Sequence, residues 1–274
     1  MVSALLLLAI SINPAVIIVD NVWFYGADHK MRILSTGDMV DILEDLGERC
    51  TVWYDTTSSE LDKNVLVDLN SEIGEHELFV FARGYFDEGE HEKAARLLDI
   101  FARYFDNSDY LTEALYYLAQ SFEALIARGD NDSIPGIAHN TRINQNYYNG
   151  DIYRMIVRNF PDHPFSSKAQ YRLINIFRIE HLPWQDSIEI IQQELDMWEE
   201  FCMQYQQADE QALGLSEIGY LNRVLYEITD TMDYYDAAIQ TFNKIVLEYP
   251  NTIYAAYATV NLYELTSDRK IYKY

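Results

Sequence analysis

Three stretches of this chain repeat one pattern of apolar and polar positions. Leu98, Phe101, Ala102 and Phe105 are followed by Asp106 and then Ala114. Tyr153, Ile156, Val157 and Phe160 are followed by Pro161 and Ala169, and Phe242, Ile245, Val246 and Tyr249 by Pro250 and Ala258. Apolar residues three and four apart share one face of a helix. A proline then stops that helix, because it lacks an N–H and disfavours helical geometry in the residue before it. The alanine opens the next helix at a point where backbones must approach closely. Helix–turn–helix units repeated in this way predict an α-solenoid, an architecture that serves binding more often than catalysis.

The same pattern extends over the region from Glu75 onward. Leu78, Phe81, Ala82 and Tyr85 mark one face of a first helix, Asp87–Glu90 a turn, and Ala94, Leu97, Leu98 and Phe101 a returning helix. A second unit begins at Thr112–Phe122 and returns near Gln145–Asn159, which leaves a polar insertion over 128–144 expected to be mobile or outlying. A third runs from Ser166 to Phe177, turns at His181–Trp184 and returns over Ile188, Ile191 and Leu195. A fourth uses Ala212–Tyr226 and Tyr235–Tyr249, and Ile253–Leu265 closes the array. Ahead of the helices, the β-branched and aromatic runs 16–19, 22–25, 31–34, 39–43 and 50–54, with 64–67 as a closing strand, predict a small barrel. The apolar run Val2–Ile12 is too short to span a bilayer. With Ala9-Ile10-Ser11 as a small-x-small site it reads as a secretory leader over 1–15, although no Lys or Arg precedes it. The competing reading is a buried first strand.

The segment ELFVFARGYFDEGEHEKAARLLDIFARYF resembles a tetratricopeptide repeat, with Ala82, Ala94, Leu78, Tyr85 and Leu98 at the family's signature spacings. FPDHPFSSKAQYRL and YPNTIYAAYATVNL resemble the links of the bacterial cell-envelope variant; the first unit departs from it with Asp106 in place of Pro. MRILSTGDMVDILEDLGE and CTVWYD resemble a bacterial SH3-like domain, departing from it where Lys63–Val67 replaces a closing Gly-Trp-Val. The expected fold is therefore mainly α: a tetratricopeptide-type α-solenoid of about four helix pairs plus a capping helix over 75–266. A small all-β SH3-like barrel over 16–72 precedes it, and a tail covers 267–274. The resemblance implies a non-catalytic protein–protein interaction scaffold of the bacterial cell envelope, periplasmic or otherwise exported. Two alternatives are a peptidoglycan-binding protein acting through the SH3-like domain and, for an uncleaved leader, a cytoplasmic assembly chaperone. Carried over from the repeat, the partner-binding groove positions are Phe79, Arg83, Phe86, Tyr116, Gln120, Tyr171, Asn175, Arg178, Tyr220 and Arg223.

Composition narrows the partner. The formal charge is −24, with acids spread along the whole chain. No basic footprint for nucleic acid is present, and attraction to anionic lipid is disfavoured. An acidic surface favours a basic or amphipathic protein segment as the occupant. Cys50 and Cys202 read as separate thiols. The six histidines do not fall at metal-ligand spacings, and His163, in an inter-repeat turn, reads as structural. Asp130-Asn131-Asp132 opens like a calcium loop, but Pro135 precedes Gly136 and no closing Glu follows. Neither a phosphate-binding Gly-rich loop nor a Gly-x-Ser-x-Gly elbow occurs. Adjacent acids such as Glu199-Glu200 read as a solvated face. The sequence thus predicts no catalytic residues, no cofactor, no metal and no transmembrane span.

Overall fold

The computed structural model describes residues 13–130, 134–182 and 187–271. Most of the expected leader lies outside these residues, as do Pro183 and Trp184 of the expected turn, Asn131 and Asp132 of the calcium-like run, and 272–274 of the tail. The chain is mainly helical with a small N-terminal β region. It divides into two compact units, one ending at Pro135 and the other beginning at Gly136.

In the first unit, strands β1 (Pro14–Ile17), β4 (Met39–Asp45), β5 (Arg49–Tyr54), β6 (Thr57–Asp62) and β7 (Leu66–Asp68) form a five-stranded sheet in the order β6-β5-β4-β1-β7. All of its pairings are antiparallel. β2 (Val22–Tyr25) and β3 (Met31–Leu34) form a separate antiparallel ribbon. Alternation supplies the core: Ala15, Ile17, Phe24, Leu34, Cys50 and Val52 point inward and cluster together. β1 starts at Pro14, and Asn13 donates to the Asp68 carboxylate at 3.0 Å. The boundary expected between residues 15 and 16 therefore falls inside a strand. β6 was not expected, because only Leu61 in TSSELD is a large apolar residue. β4 runs two residues past its expected end through a register shift between Ile42 and Glu44, which turns Leu43 outward. Gly37, at φ +92°, makes the turn before β4, and its N–H donates to the Ile17 carbonyl.

Helices α1 (Gly74–Asp87), α2 (His91–Tyr104) and α3 (Leu111–Arg128) complete this unit. Tyr85 fastens the β region to them by donating its hydroxyl to the Ile18 carbonyl at 2.6 Å, and Lys93 pairs with Asp20 at 2.9 Å. The buried face of α1 is Leu78, Phe79 and Ala82; Phe81, expected inside, is 41% exposed. Gly129, at φ +90°, ends α3 with the paired 5→2 and 6→1 bonds of a Schellman cap.

The second unit opens with a hairpin, β8 (Ile137–Asn140) and β9 (Gln145–Tyr148), followed by α4 (Asp151–Asn159), α5 (Pro164–His181), α6 (Ile188–Gln204), α7 (Ala208–Thr229), α8 (Met232–Glu248) and α9 (Ile253–Ile271). The described part of the expected mobile insertion is thus partly an ordered hairpin. Its buried Asn140 donates to the carbonyls of Ile179 and Glu180, satisfying backbone acceptors that the end of α5 leaves open. The returning helix is accordingly shorter than expected and begins at Asp151.

Each helix of this unit packs on the next, and α7 also reaches α9. At Gly219 in α7, a Cβ would come within 2.6 Å of the Phe242 ring of α8, so glycine permits that approach. The three repeated stripes end alike. Phe105, Phe160 and Tyr249 close α2, α4 and α8 with φ near −120° to −133° and ψ near 45° to 51°, each N–H returning to the fourth residue back. The alanines that follow, Ala114, Ala169 and Ala258, are all fully buried.

Candidate functional site

Arginine organises the expected groove positions. In the first unit Arg83 of α1 binds Asp87 through Nε at 3.0 Å and Glu113 of α3 through Nη1 at 2.9 Å, with its guanidinium 4.0 Å from the Tyr117 ring centroid. In the second unit Arg178 of α5 binds Glu194 of α6 through Nε at 2.5 Å and Glu217 of α7 through Nη2 at 2.6 Å. Arg223 of α7 binds Glu227 at 2.8 Å and reaches Asn261 and Glu264 of α9 at 2.8 and 2.5 Å. In each case the fixed fork of the guanidinium joins a helix to the one two further on. These side chains therefore hold helices together before they offer anything to a partner.

The Arg178 clasp differs from the other two. It borders a cavity of about 190 Å³, lined also by Ile191, Glu194, Glu217, Tyr220 and Val224. Glu194 is 1% exposed and also accepts from the Trp198 indole at 3.3 Å. Burial pushes its carboxyl above the usual range, and the neighbouring Arg178 charge pulls it back. Two carboxylates against one guanidinium leave the charged floor with a formal excess of one negative charge. Ile191, Leu221 and Val224 add apolar lining, and Tyr220 is 43% exposed. Such a site suits the aliphatic stem and cationic head of a basic side chain.

Of the remaining expected groove residues, Phe79 is 8% exposed and stacks on Tyr110 at 4.8 Å, and Tyr116 is equally buried, accepting from Gln120 at 3.3 Å. Both take part in the packing between helices. Phe86 is half-buried between His91 and Tyr117. Tyr171 is half-buried, its ring 6.0 Å from Trp198, and Asn175 lies half-buried on α5. Arg178 and Tyr220 of the expected set line this cavity together. Glu194 and Glu217 were missed. Glu194 stands three residues after Ile191 and four before Trp198, an acid inside an apolar stripe, and that was its signal in the sequence.

His163 caps α5, its Nδ1 accepting from the Phe165 N–H at 3.2 Å. Both cysteines are free thiols; burial pushes Cys202 up to about 11, so it is protonated and unreactive at neutral pH. Among the described residues there is no cluster of three or more metal-ligating side chains, and no helix long and apolar enough to cross a membrane. No model of a known protein family and no curated protein matches this chain.

Proposed function

We propose that the chain is a non-catalytic interaction scaffold in which a tetratricopeptide-type solenoid grips a partner segment and an SH3-like barrel spaces or orients it. The observation that carries this reading is the cavity beside Arg178, Glu194, Glu217 and Tyr220, with its excess negative charge and apolar lining. It fits a Lys or Arg side chain projecting from a protein segment. The similar ends of α2, α4 and α8 support the repeat reading, since a recurring unit reuses one turn geometry. The cell envelope is the proposed location, on the strength of the apolar run Val2–Ile12.

The test replaces Tyr220 with a photo-crosslinking residue in native cells, identifies the attached peptide by mass spectrometry, and measures its affinity for purified protein. Tyr220→Ala and Glu217→Gln should each weaken binding by about 2 kcal/mol with helical content unchanged. Equal affinity in all variants would remove the cavity from the binding surface.

A further inference from the structure

Strand β2 is apolar on both faces, and β3 matches it except at Arg32, opposite Phe24 on the inner face. The inner apolar residues of the β2–β3 ribbon, Val22, Phe24 and Leu34, belong to the core. Its outer residues form two directly opposed cross-strand pairs, Trp23 with Ile33 and Tyr25 with Met31. These four are 61%, 52%, 60% and 62% exposed. A large side chain offers roughly 150–250 Å², so the exposed ribbon face amounts to on the order of 400 Å², a size that on small proteins marks an interaction site. Neither strand pairs with any other among the described residues.

The charges around this face indicate its occupant. Trp23 also lines a cavity of about 330 Å³ with Asp20, Glu60, Asp62 and Arg49; Lys93 already pairs with Asp20, which leaves Glu60 and Asp62 against the single guanidinium of Arg49. Arg49 is already engaged by Glu60 at 2.7 Å and Asp62 at 3.2 Å. Arg32, opposite Phe24 and therefore on the inner face, is held by Asp28 at 3.0 Å and faces Asp55 at 3.8 Å, so it adds nothing to the outer strip. Excess negative charge therefore lies beside Trp23, at one end of an apolar strip about 13 Å long, at four residues per strand. A second copy of a chain carrying −24 would meet long-range repulsion. A glycan could stack on the rings, but Met31 and Ile33 offer it no hydrogen bonds. We infer that the exposed face of the β2–β3 ribbon is a docking surface for an extended protein segment of alternating apolar and basic residues. Its apolar side chains cover Trp23, Tyr25, Met31 and Ile33, and a basic one enters the cavity beside Glu60 and Asp62. This surface is separate from the Arg178 cavity and does not depend on it.

The experiment titrates the full isotope-labelled chain with the acetylated, amidated hexapeptide KVKVKV. The Trp23 indole N–H is the reporter, assigned by its loss in Trp23→Phe; EVEVEV and chitotetraose are the comparison probes. A saturable shift with KVKVKV is expected, at least tenfold tighter than with either comparison probe. By anisotropy of the labelled peptide, Tyr25→Ser and Ile33→Thr should each weaken binding at least threefold. Glu60→Gln with Asp62→Asn should weaken it further and flatten its salt dependence, and Glu217→Gln should leave it unchanged. The inference is overturned by no saturable shift, by equal binding of EVEVEV, by tighter binding of chitotetraose, or by affinity insensitive to the ribbon substitutions. An indole shift that follows protein concentration alone would assign the face to a second copy and also overturn it. Retained near-native dispersion of the buried Phe24 and Leu34 signals shows that each variant is folded.

Discussion

Helix α8 and the β2–β3 ribbon are both rich in large apolar side chains, and they place them differently. In α8, Phe242 and Ile245 are fully buried and Gly219 of α7 makes room for the Phe242 ring. In the ribbon only alternate residues enter the core, and Trp23, Tyr25, Met31 and Ile33 face water. The helical stripe is a single face that α7 and α9 cover together, whereas a strand with apolar residues on both faces needs a layer on each side. The sheet core supplies one layer. Stability should therefore concentrate in the helical stripes and the inner ribbon face, and association at the outer face.

The largest expected effect tests the buried half of this contrast. Phe242→Ala should cost about 3–5 kcal/mol, from lost transfer energy and the cavity left between α7 and α8. Urea unfolding measures it, and a loss under about 1 kcal/mol would mean that the stripe is not packed as described. Overpacking the fully buried Ala238 on the same helix, as Ala238→Leu, should cost about 1–3 kcal/mol.

How far each region could be read in the sequence follows from the kind of contact that builds it. The stripes of α2, α4 and α8 were legible because helical periodicity and a stop residue are both local. The face of α1 was read about a sixth of a turn off: Leu78 and Ala82 are inside as expected, but Phe79 is inside and Phe81 outside, since the partner helices decide which flank of the stripe is covered. β6 escaped because its pairing with β5 is made by backbone bonds under mostly polar side chains. The arginines were recognisable as unusual, but their most distant carboxylate partners lie 30, 39 and 41 residues away, and no spacing rule connects those.

The hairpin β8–β9 was the least legible element, because a polar Asn holds it to the carbonyl end of α5. Asn140→Ala should leave two carbonyls without that donor and cost about 1–3 kcal/mol. The effect should be local, seen as faster proteolysis and hydrogen exchange over 137–148 while α7 and α8 stay protected. Unchanged protection of the hairpin would show that its apolar contacts hold it and that Asn140 is incidental.

A smaller effect concerns the buried charge among the helices. Glu194 has its folded carboxyl raised by burial, with Arg178, Glu217 and the Trp198 indole as the polar groups around it. An acid raised on folding contributes stability that is fully present below its unfolded value and lost as pH rises through its folded value. Acidification from pH 7 toward the ordinary value of 4.5 should therefore favour wild type increasingly over Glu194→Gln. Urea unfolding of both proteins at pH 7 and pH 5 gives the comparison. A difference that is constant, or that moves toward the variant at pH 5, would mean that the Arg178 pairing outweighs the burial.

The smallest expected effect is the sharpest test of the contrast, because it uses neighbouring residues on one strand. Trp23 and Phe24 differ in position by a single residue, and the two-residue period of a strand sends them to opposite faces. Phe24→Ala should cost about 3–5 kcal/mol, as for any large core side chain. Trp23→Ser removes a side chain that is 61% exposed and should change stability by no more than about 0.5 kcal/mol. It should also raise solubility, since it breaks up the apolar patch. A cost above about 1.5 kcal/mol for Trp23→Ser would mean that something in solution already covers the outer face. Residue 23 would then be core in the folded chain, the ribbon would bury both of its faces as the helical stripes bury their one, and the free docking surface would disappear with the contrast.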